Sequence, residues 1–257
     1  MNAMELAGTK WYVPAENLLA YLTDPALRVQ RPVADQTLWS ITSAEGGRFE
    51  GTSQTRLWAK GRDGEWAPAG TASNAMSGTI EETGEITIVF TPDDPDPSTT
   101  VGYGHLRRVQ GEWRMEMQMA TGAQSLALHW AYMTRWAEGD AIPQPAPDFP
   151  DPELRSDEWR WLAGSAWYAA DEELFPQGAA FTVDSDRNGY FWGEGTTASG
   201  DPLRVAGSVT PEGSLYLLFS VSAQPAAARR GMMEADPPRM SWTLPEGGPV
   251  IGTATGE

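Results

Sequence analysis

The chain has 257 residues, 40% of them hydrophobic, with twelve tryptophans, two histidines, no cysteine and a formal net charge of −17 at neutral pH. This length suits one large all-β domain or two of ordinary size. The acidic balance argues against nucleic acid or an anionic membrane as partner, because both recruit clustered Lys and Arg, and the absence of cysteine excludes disulfides, thiolate metal sites and cysteine nucleophiles.

The N-terminal stretch MNAMELAGTKWY lacks a basic region followed by an apolar run, so no signal peptide is expected. No apolar stretch approaches membrane-spanning length, and a soluble, cytoplasmic protein is the expectation.

Internal repetition decides the domain organisation. Leu6-Ala7-Gly8-Thr9-Lys10-Trp11-Tyr12 recurs as Leu162-Ala163-Gly164-Ser165-Ala166-Trp167-Tyr168. Gly47 to Gly51 recurs as Gly189 to Gly193, and the segment from Ser77 through Gly84 to Phe90 recurs from Ala206 through Gly213 to Phe219. Arg114-Met115 has its counterpart in Arg239-Met240. Four blocks in the same order indicate a tandem duplication: residues 1–136, a Pro/Asp-rich linker at 137–158, and a shorter second repeat at 159–257.

Each repeat reads as short strands separated by turn signals. In the first they fall near 9–13, 37–43, 48–59, 75–82, 85–91, 100–109, 112–121 and 125–136. In the second they fall near 165–169, 179–184, 190–198, 203–210, 214–222, 229–235, 239–244 and 249–255. Eight strands close a barrel wide enough for one small ligand. A helix is expected over Pro14–Leu22, with Pro and Glu16 in its first turn, and a shorter counterpart over Ala170–Phe175. The runs Ile86–Phe90 and Leu215–Phe219 are apolar on both faces, which predicts burial on both sides.

The Gly8-Thr9-Lys10-Trp11 and Gly164-Ser165-Ala166-Trp167 starts, followed by a meander of hairpins, resemble the calycin superfamily of lipocalins, fatty-acid-binding proteins and streptavidin-like barrels. Each has one residue more than the usual Gly-x-Trp spacing. The resemblance implies an all-β, eight-stranded antiparallel calycin-like barrel, duplicated in tandem and enclosing a small hydrophobic ligand. It also implies an Arg of the last strand packing across the Trp; Arg135 answers in the first repeat and no residue does in the second. Two-lobed lipocalin-like enzymes of natural-product cyclisation share this gross architecture.

The stretch from Val101 to Trp136 carries both histidines, His105 and His129. A two-residue turn at Gln110-Gly111 would set His105 across from Glu116, Tyr103 across from Gln118 and Arg107 across from Arg114. A second turn at Thr121-Gly122 or Gly122-Ala123 would bring His129 to the same face. The opposite face would carry Trp113, Met115, Met117, Met119, Leu126, Leu128, Trp130, Tyr132 and Trp136. Either this apolar face fills the barrel and the polar face meets water, or the polar face lines a cavity and the apolar face packs outward.

The second arrangement is the one favoured here. His105 and Glu116 then form an acid/base pair, with Tyr103 and His129 completing the catalytic set. Arg107, Arg114, Gln118, Trp11 and Trp130 would contact the substrate. A metal site of His105, Glu116 and His129, and haem ligation by one histidine, are weaker alternatives. The run Asp93–Pro97 lacks the calcium-loop pattern and reads as a solvated turn. Gly102-Tyr103-Gly104 lies within a strand pattern and reads as a bulge or a close backbone approach. Arg229-Arg230 is too small a basic cluster to suggest nucleic acid.

The expected function is to bind a bulky hydrophobic or aromatic small molecule in a barrel cavity and to catalyse isomerisation, cyclisation or lyase cleavage on it with no cofactor. A non-catalytic carrier, its pocket lined by the Met/Trp face, is the alternative. A structural partner that oligomerises through its apolar strands, for instance as a homodimer, is a third reading.

Overall fold

The computed structural model describes residues 6–24, 29–93, 99–122, 126–142, 159–187, 189–222, 226–244 and 249–254. The chain divides into two compact units. The first holds nine strands: β1 (Lys10–Tyr12), β2 (Leu19–Asp24), β3 (Val29–Glu45), β4 (Arg48–Lys60), β5 (Trp66–Ile80), β6 (Glu85–Pro92), β7 (Thr99–Val109), β8 (Glu112–Gly122) and β9 (Leu126–Arg135). The second holds eight: β10 (Ala166–Asp171), β11 (Phe175–Arg187), β12 (Tyr190–Thr197), β13 (Pro202–Val209), β14 (Ser214–Val221), β15 (Ala227–Ala235), β16 (Pro238–Thr243) and β17 (Pro249–Ala254). Each sheet closes into an antiparallel barrel. The protein is therefore all-β, with two eight-stranded barrels in tandem.

Nine strands make eight positions in the first barrel because β1 and β2 share one. Both pair with β3 on one side and β9 on the other. Lys10–Tyr12 meets Leu38–Ser40 and Thr134–Arg135, and β2 continues beyond it. Between them the chain makes a single 3-10 turn, Ala15–Asn17. In the second barrel β10 fills the same place without interruption, between β11 and β17.

The helix expected over Pro14–Leu22 is thus only a turn followed by strand. Leu18, Leu19, Ala20 and Tyr21 are all buried, a contiguous apolar run with no helical period. As a strand it completes the hydrogen-bond ring, and that requirement outweighs the helix-start signal of Pro14 and Glu16. At Ala170–Phe175 as well, strand runs to Asp171 and resumes at Phe175. No helix among the described residues is long and apolar enough to cross a membrane.

The repeats match at the level of single hydrogen bonds. Thr9 Oγ1 donates to the Leu6 carbonyl (2.6 Å) and accepts from Trp11 Nε1 (2.9 Å); Ser165 Oγ donates to the Leu162 carbonyl (2.5 Å) and accepts from Trp167 Nε1 (2.7 Å). This clasp fixes each first-strand tryptophan, fully buried, inside its barrel. A register shift follows Ile41 in β3 and Val183 in β11. Phe49 and Phe191 lie so close to Gly78 and Gly207 that a Cβ on either glycine would stand about 2.5 Å from a ring carbon. The turns at Gly84 and Gly213, with φ of 91° and 89°, receive the same backbone bond from Leu106 and Met233 (2.8 Å each).

Both barrels pack their cores inside. In the first, Trp11, Trp39, Phe49, Ile86, Ile88, Met115, Met117 and Met133 form one cluster. In the second, Trp167, Phe181, Phe191, Phe219 and Trp242 dominate, with Phe219 in ring contact with Phe175, Phe181 and Trp242. Of the two strands expected to be apolar on both faces, β14 is buried throughout Leu215–Phe219, whereas β6 alternates, with Thr87 and Val89 exposed.

One polar knot sits within the second barrel. Asp171, fully buried, accepts hydrogen bonds from Arg229 (Nε 2.9 Å, Nη2 3.2 Å) and from Trp242 Nε1 (3.0 Å). Arg229 also reaches Glu173 (2.8 Å). Burial by itself would raise the Asp171 carboxyl, but the bonds from Arg229 and Trp242 outweigh it and hold the group below its ordinary 3.8.

The folded state therefore binds fewer protons here than the unfolded chain. The stabilisation is complete above the ordinary aspartate range and is lost as the pH falls through it. Arg229→Ala leaves a buried carboxylate unpaired and is expected to cost about 3–5 kcal/mol at neutral pH. Urea denaturation should show this deficit at neutral pH and a smaller one in acid; an equal deficit at both would contradict it.

Candidate functional site

The hairpin of β7 and β8 has the anticipated register. Gln110 and Gly111 turn it with positive φ (53° and 88°), and His105 lies opposite Glu116, Tyr103 opposite Gln118 and Arg107 opposite Arg114. Gly104 is a close approach within an unbroken ladder; a Cβ there would stand 1.8 Å from the Glu116 carbonyl oxygen.

The face carrying these polar residues points away from the barrel interior. Met115 and Met117 belong to the core, and Met119 is buried with them, so Tyr103, His105, Arg107, Arg114, Glu116 and Gln118 lie on the outer side of the sheet. His105 is 39% exposed and its nearer carboxylate is Glu85 (3.9 Å), which also accepts from the Tyr103 hydroxyl (2.6 Å). Glu116 is buried and pairs with Arg107 rather than with His105. Arg107 also donates to the Tyr132 hydroxyl (3.2 Å) and stacks over its ring. A charge-assisted bond to guanidinium is the stronger of the two options open to that carboxylate. Arg114 pairs with Glu112 (2.9 Å), and Gln118 is buried.

His129 stands apart from this group. Strand β8 runs through Gly122, which excludes both expected two-residue turns, Thr121-Gly122 and Gly122-Ala123, and along β9 it is Ala131 and Met133 that enter the core. One residue of register moves every side chain to the other face. His129 therefore faces the interior, while Trp130 and Tyr132 stack edge to face on the outside (5.5 Å). A metal site of His105, Glu116 and His129 is not assembled, and no cluster of three potential ligands occurs among the described residues. Trp11 is core, held by its clasp; Arg135 lies directly across from it and is exposed.

The interior of the first barrel is open at one end. A cavity of about 320 Å³ is lined by every strand except β1. Its apolar wall comes from Ala20, Leu22, Val33, Leu57, Phe90, Pro92, Met119 and Leu128. Ser53, Thr55, Asn74, Thr100 and Thr121 add polar groups, and strand β5 lines the cavity along residues 71–74. Trp39, Thr37, His129 and Asp35 also line it.

Asp35 and His129 are the ionisable pair of this cavity, 3.2 Å apart from Oδ2 to Nδ1, a separation suited to an ion pair although not aligned as a hydrogen bond. The Asp35 Oδ1 accepts from the Thr37 hydroxyl (2.7 Å), which contacts the Thr55 hydroxyl (2.9 Å). His129 Nε2 lies 2.8 Å from the carbonyl oxygen of Asn17. A carbonyl only accepts, so Nε2 carries a proton. Nδ1 then confronts a carboxylate, and two lone pairs at 3.2 Å repel unless a proton lies on one of them. A proton placed between Oδ2 and Nδ1 would remove that repulsion.

The broken first strand makes this possible. Where the ladder is interrupted at Ala15–Asn17, the Asn17 carbonyl is free to take the His129 ring, and the Asn17 side chain accepts from the Tyr132 amide (3.0 Å). The Val13 carbonyl accepts from the Gln36 amide (3.1 Å). Asp35 was not anticipated because the strand signal begins only at residue 37. Val33, Asp35, Thr37 and Trp39 alternate inward, and two polar residues on that face mask the apolar period.

Counting from the matched turns, the place of Arg229 in β15 is taken in β7 by Gly102. Arg229 spans its barrel to Asp171, whereas a Cβ on Gly102 would only approach Met119 (3.3 Å), Met117 and Phe90 (3.5 Å each).

No protein-family model and no curated protein sequence matches the chain. Among solved structures, the di-domain ARO/CYC StfQ from the steffimycin biosynthetic pathway aligns over 88% of this chain and 75% of its own, at 13% identity and a TM-score of 0.18. Similarity at that level identifies neither fold nor function.

Gly102→Leu should push a side chain between Met119 and Phe90 and occupy the cavity. Binding of an environment-sensitive naphthalene dye should fall at least tenfold, while the circular dichroism spectrum stays all-β, at a cost in stability of about 1–3 kcal/mol from overpacking. Undiminished dye binding would mean that the dye sits elsewhere.

Proposed function

We propose that the first barrel binds a bulky hydrophobic or aromatic small molecule in its cavity and carries out acid–base chemistry on it without an organic cofactor, through Asp35 and His129. The observation that carries this reading is a carboxyl group and an imidazole 3.2 Å apart on the wall of a cavity of about 320 Å³. Such a volume suits a small organic ligand. Thr37 and Asn17 fix the pair from either side, so its geometry does not depend on the ligand.

The reaction class that fits is a proton shift. The pair donates its proton to an acceptor atom of the ligand; now basic, it takes a proton from a neighbouring carbon and returns to its starting state. Isomerisation follows directly, and a cyclisation or lyase step begins with the same protonation. Asp35 keeps 17% of its side chain exposed and would be the group that touches substrate, with the nearly buried His129 (4%) positioning it. The calycin-like character and the division into repeats at 1–136 and 159–257 belong to the same proposal. So does the second barrel as a closed companion.

The test uses 2-tetralone, an aromatic ketone that enolises. In D2O, proton NMR should show the protein accelerating deuterium uptake at the carbon beside the carbonyl, and Asp35→Asn should slow this by about 10²–10⁴-fold. Binding without any acceleration would favour a carrier. Acceleration unchanged in Asp35→Asn would remove the pair from the mechanism.

A further inference from the structure

Resting on that reading of the cavity, we infer that its ligand is an uncharged molecule presenting a hydrogen-bond-accepting oxygen, of the carbonyl class, and is not an organic anion. Three features of the lining carry this. First, among the described residues that line the cavity the charged groups are Asp35 and, when protonated, its partner His129, and none is Lys or Arg. A bound carboxylate or phosphate would find that imidazolium already engaged by Asp35, and would add a second negative charge beside the first. The chain's charge of −17 acts in the same direction.

Second, the Asn17 carbonyl commits Nε2 as a donor, so the close contact of Nδ1 with Asp35 favours a proton between them, which the pair would present to a ligand. A donor on an apolar wall selects for a ligand that accepts. Third, Trp39 lies fully buried against the cavity with its indole N–H lacking a hydrogen-bond partner. Unpaired buried donors are uncommon and call for an acceptor. The carbonyl of Asn17 and the hydroxyl of Thr37 are both occupied by the pair. A ligand oxygen seated on this wall supplies what is missing, reached through adjustment of the Trp39 ring.

The hydroxyls of Ser53 and Thr55 on β4, Thr100 on β7 and Thr121 on β8 add groups that both donate and accept. They would suit further hydroxyl or ether oxygens on the same ligand without asking for charge. The expected ligand is therefore a neutral, oxygenated ring system, apolar on the side of Phe90 and Met119.

Three probes of one shape separate the alternatives: 2-acetylnaphthalene, 2-ethylnaphthalene and 2-naphthoate, titrated by calorimetry at neutral pH. The ketone should bind about tenfold more tightly than the hydrocarbon, the gain of one hydrogen bond, and the carboxylate should bind no better than the hydrocarbon. Trp39→Phe removes the indole N–H and one of its two rings while keeping an aromatic wall, and the comparison of ketone with hydrocarbon in the same variant cancels the change of volume. The substitution should bring the ketone to within about threefold of the hydrocarbon, and the one indole resonance that it deletes should be the one the ketone shifts in the wild-type nitrogen–proton spectrum. Equal affinity for ketone and hydrocarbon, or tightest binding of the naphthoate, would overturn the inference and leave the cavity reading intact. Failure of all three to bind would remove the cavity reading, and the inference with it.

Discussion

Everything in either barrel depends on closure, and closure depends on one short strand held by a hydroxyl. Thr9 and Ser165 each bridge a backbone carbonyl and an indole N–H, so the first tryptophan of each repeat is buried with its polar atom satisfied. The strand that bears it joins the first half of the meander to the last. Once the ring is shut, interior volume is fixed by strand number, and the side chains that point inward decide how much of it stays empty. A pocket in such a frame is made by subtraction, through small residues, more than by addition.

The first repeat shows how a closed ladder can still offer reactive groups. Breaking its first strand into β1 and β2 costs ladder hydrogen bonds, yet it exposes carbonyls that a continuous strand would keep engaged. Asn17 uses one of these to fix the proton on His129, and Gln36 takes another at Val13. The position of the imidazole is thus set by backbone, and the ring carries that constraint to the cavity wall.

Much of this was legible in the amino-acid order. The duplicated blocks around Gly8 and Gly164, around Phe49 and Phe191, and at Gly84 and Gly213 recur because each serves the same local contact twice. Strand limits were readable wherever apolar and polar residues alternate across one buried face. The hairpin register at Gln110-Gly111 followed from the turn alone. Legibility failed where a strand carries polar residues inward, as Asp35 and Thr37 do, because periodicity then reports a loop. It failed again at His129, where both two-residue turns weighed put the ring on the outer face and a single residue of register exchanges inside for outside. The pairing of Glu116 with Arg107 in place of His105 is a competition between partners that a flat diagram of opposed residues does not resolve.

Gly102 and Arg229 hold one place in two copies of the same fold, and they illustrate how duplicates part company. An arginine there needs a buried acid to answer it, and Asp171 does so; a glycine needs nothing. Loss of the long side chain from a filled copy would release room but strand its aspartate in the core, the same penalty that Arg229→Ala carries. The reverse step has the mirror-image cost, since an arginine arriving first would be stranded without its aspartate. The filled and the open barrel therefore differ by a coupled pair of residues, and neither becomes the other through one substitution without a destabilised intermediate.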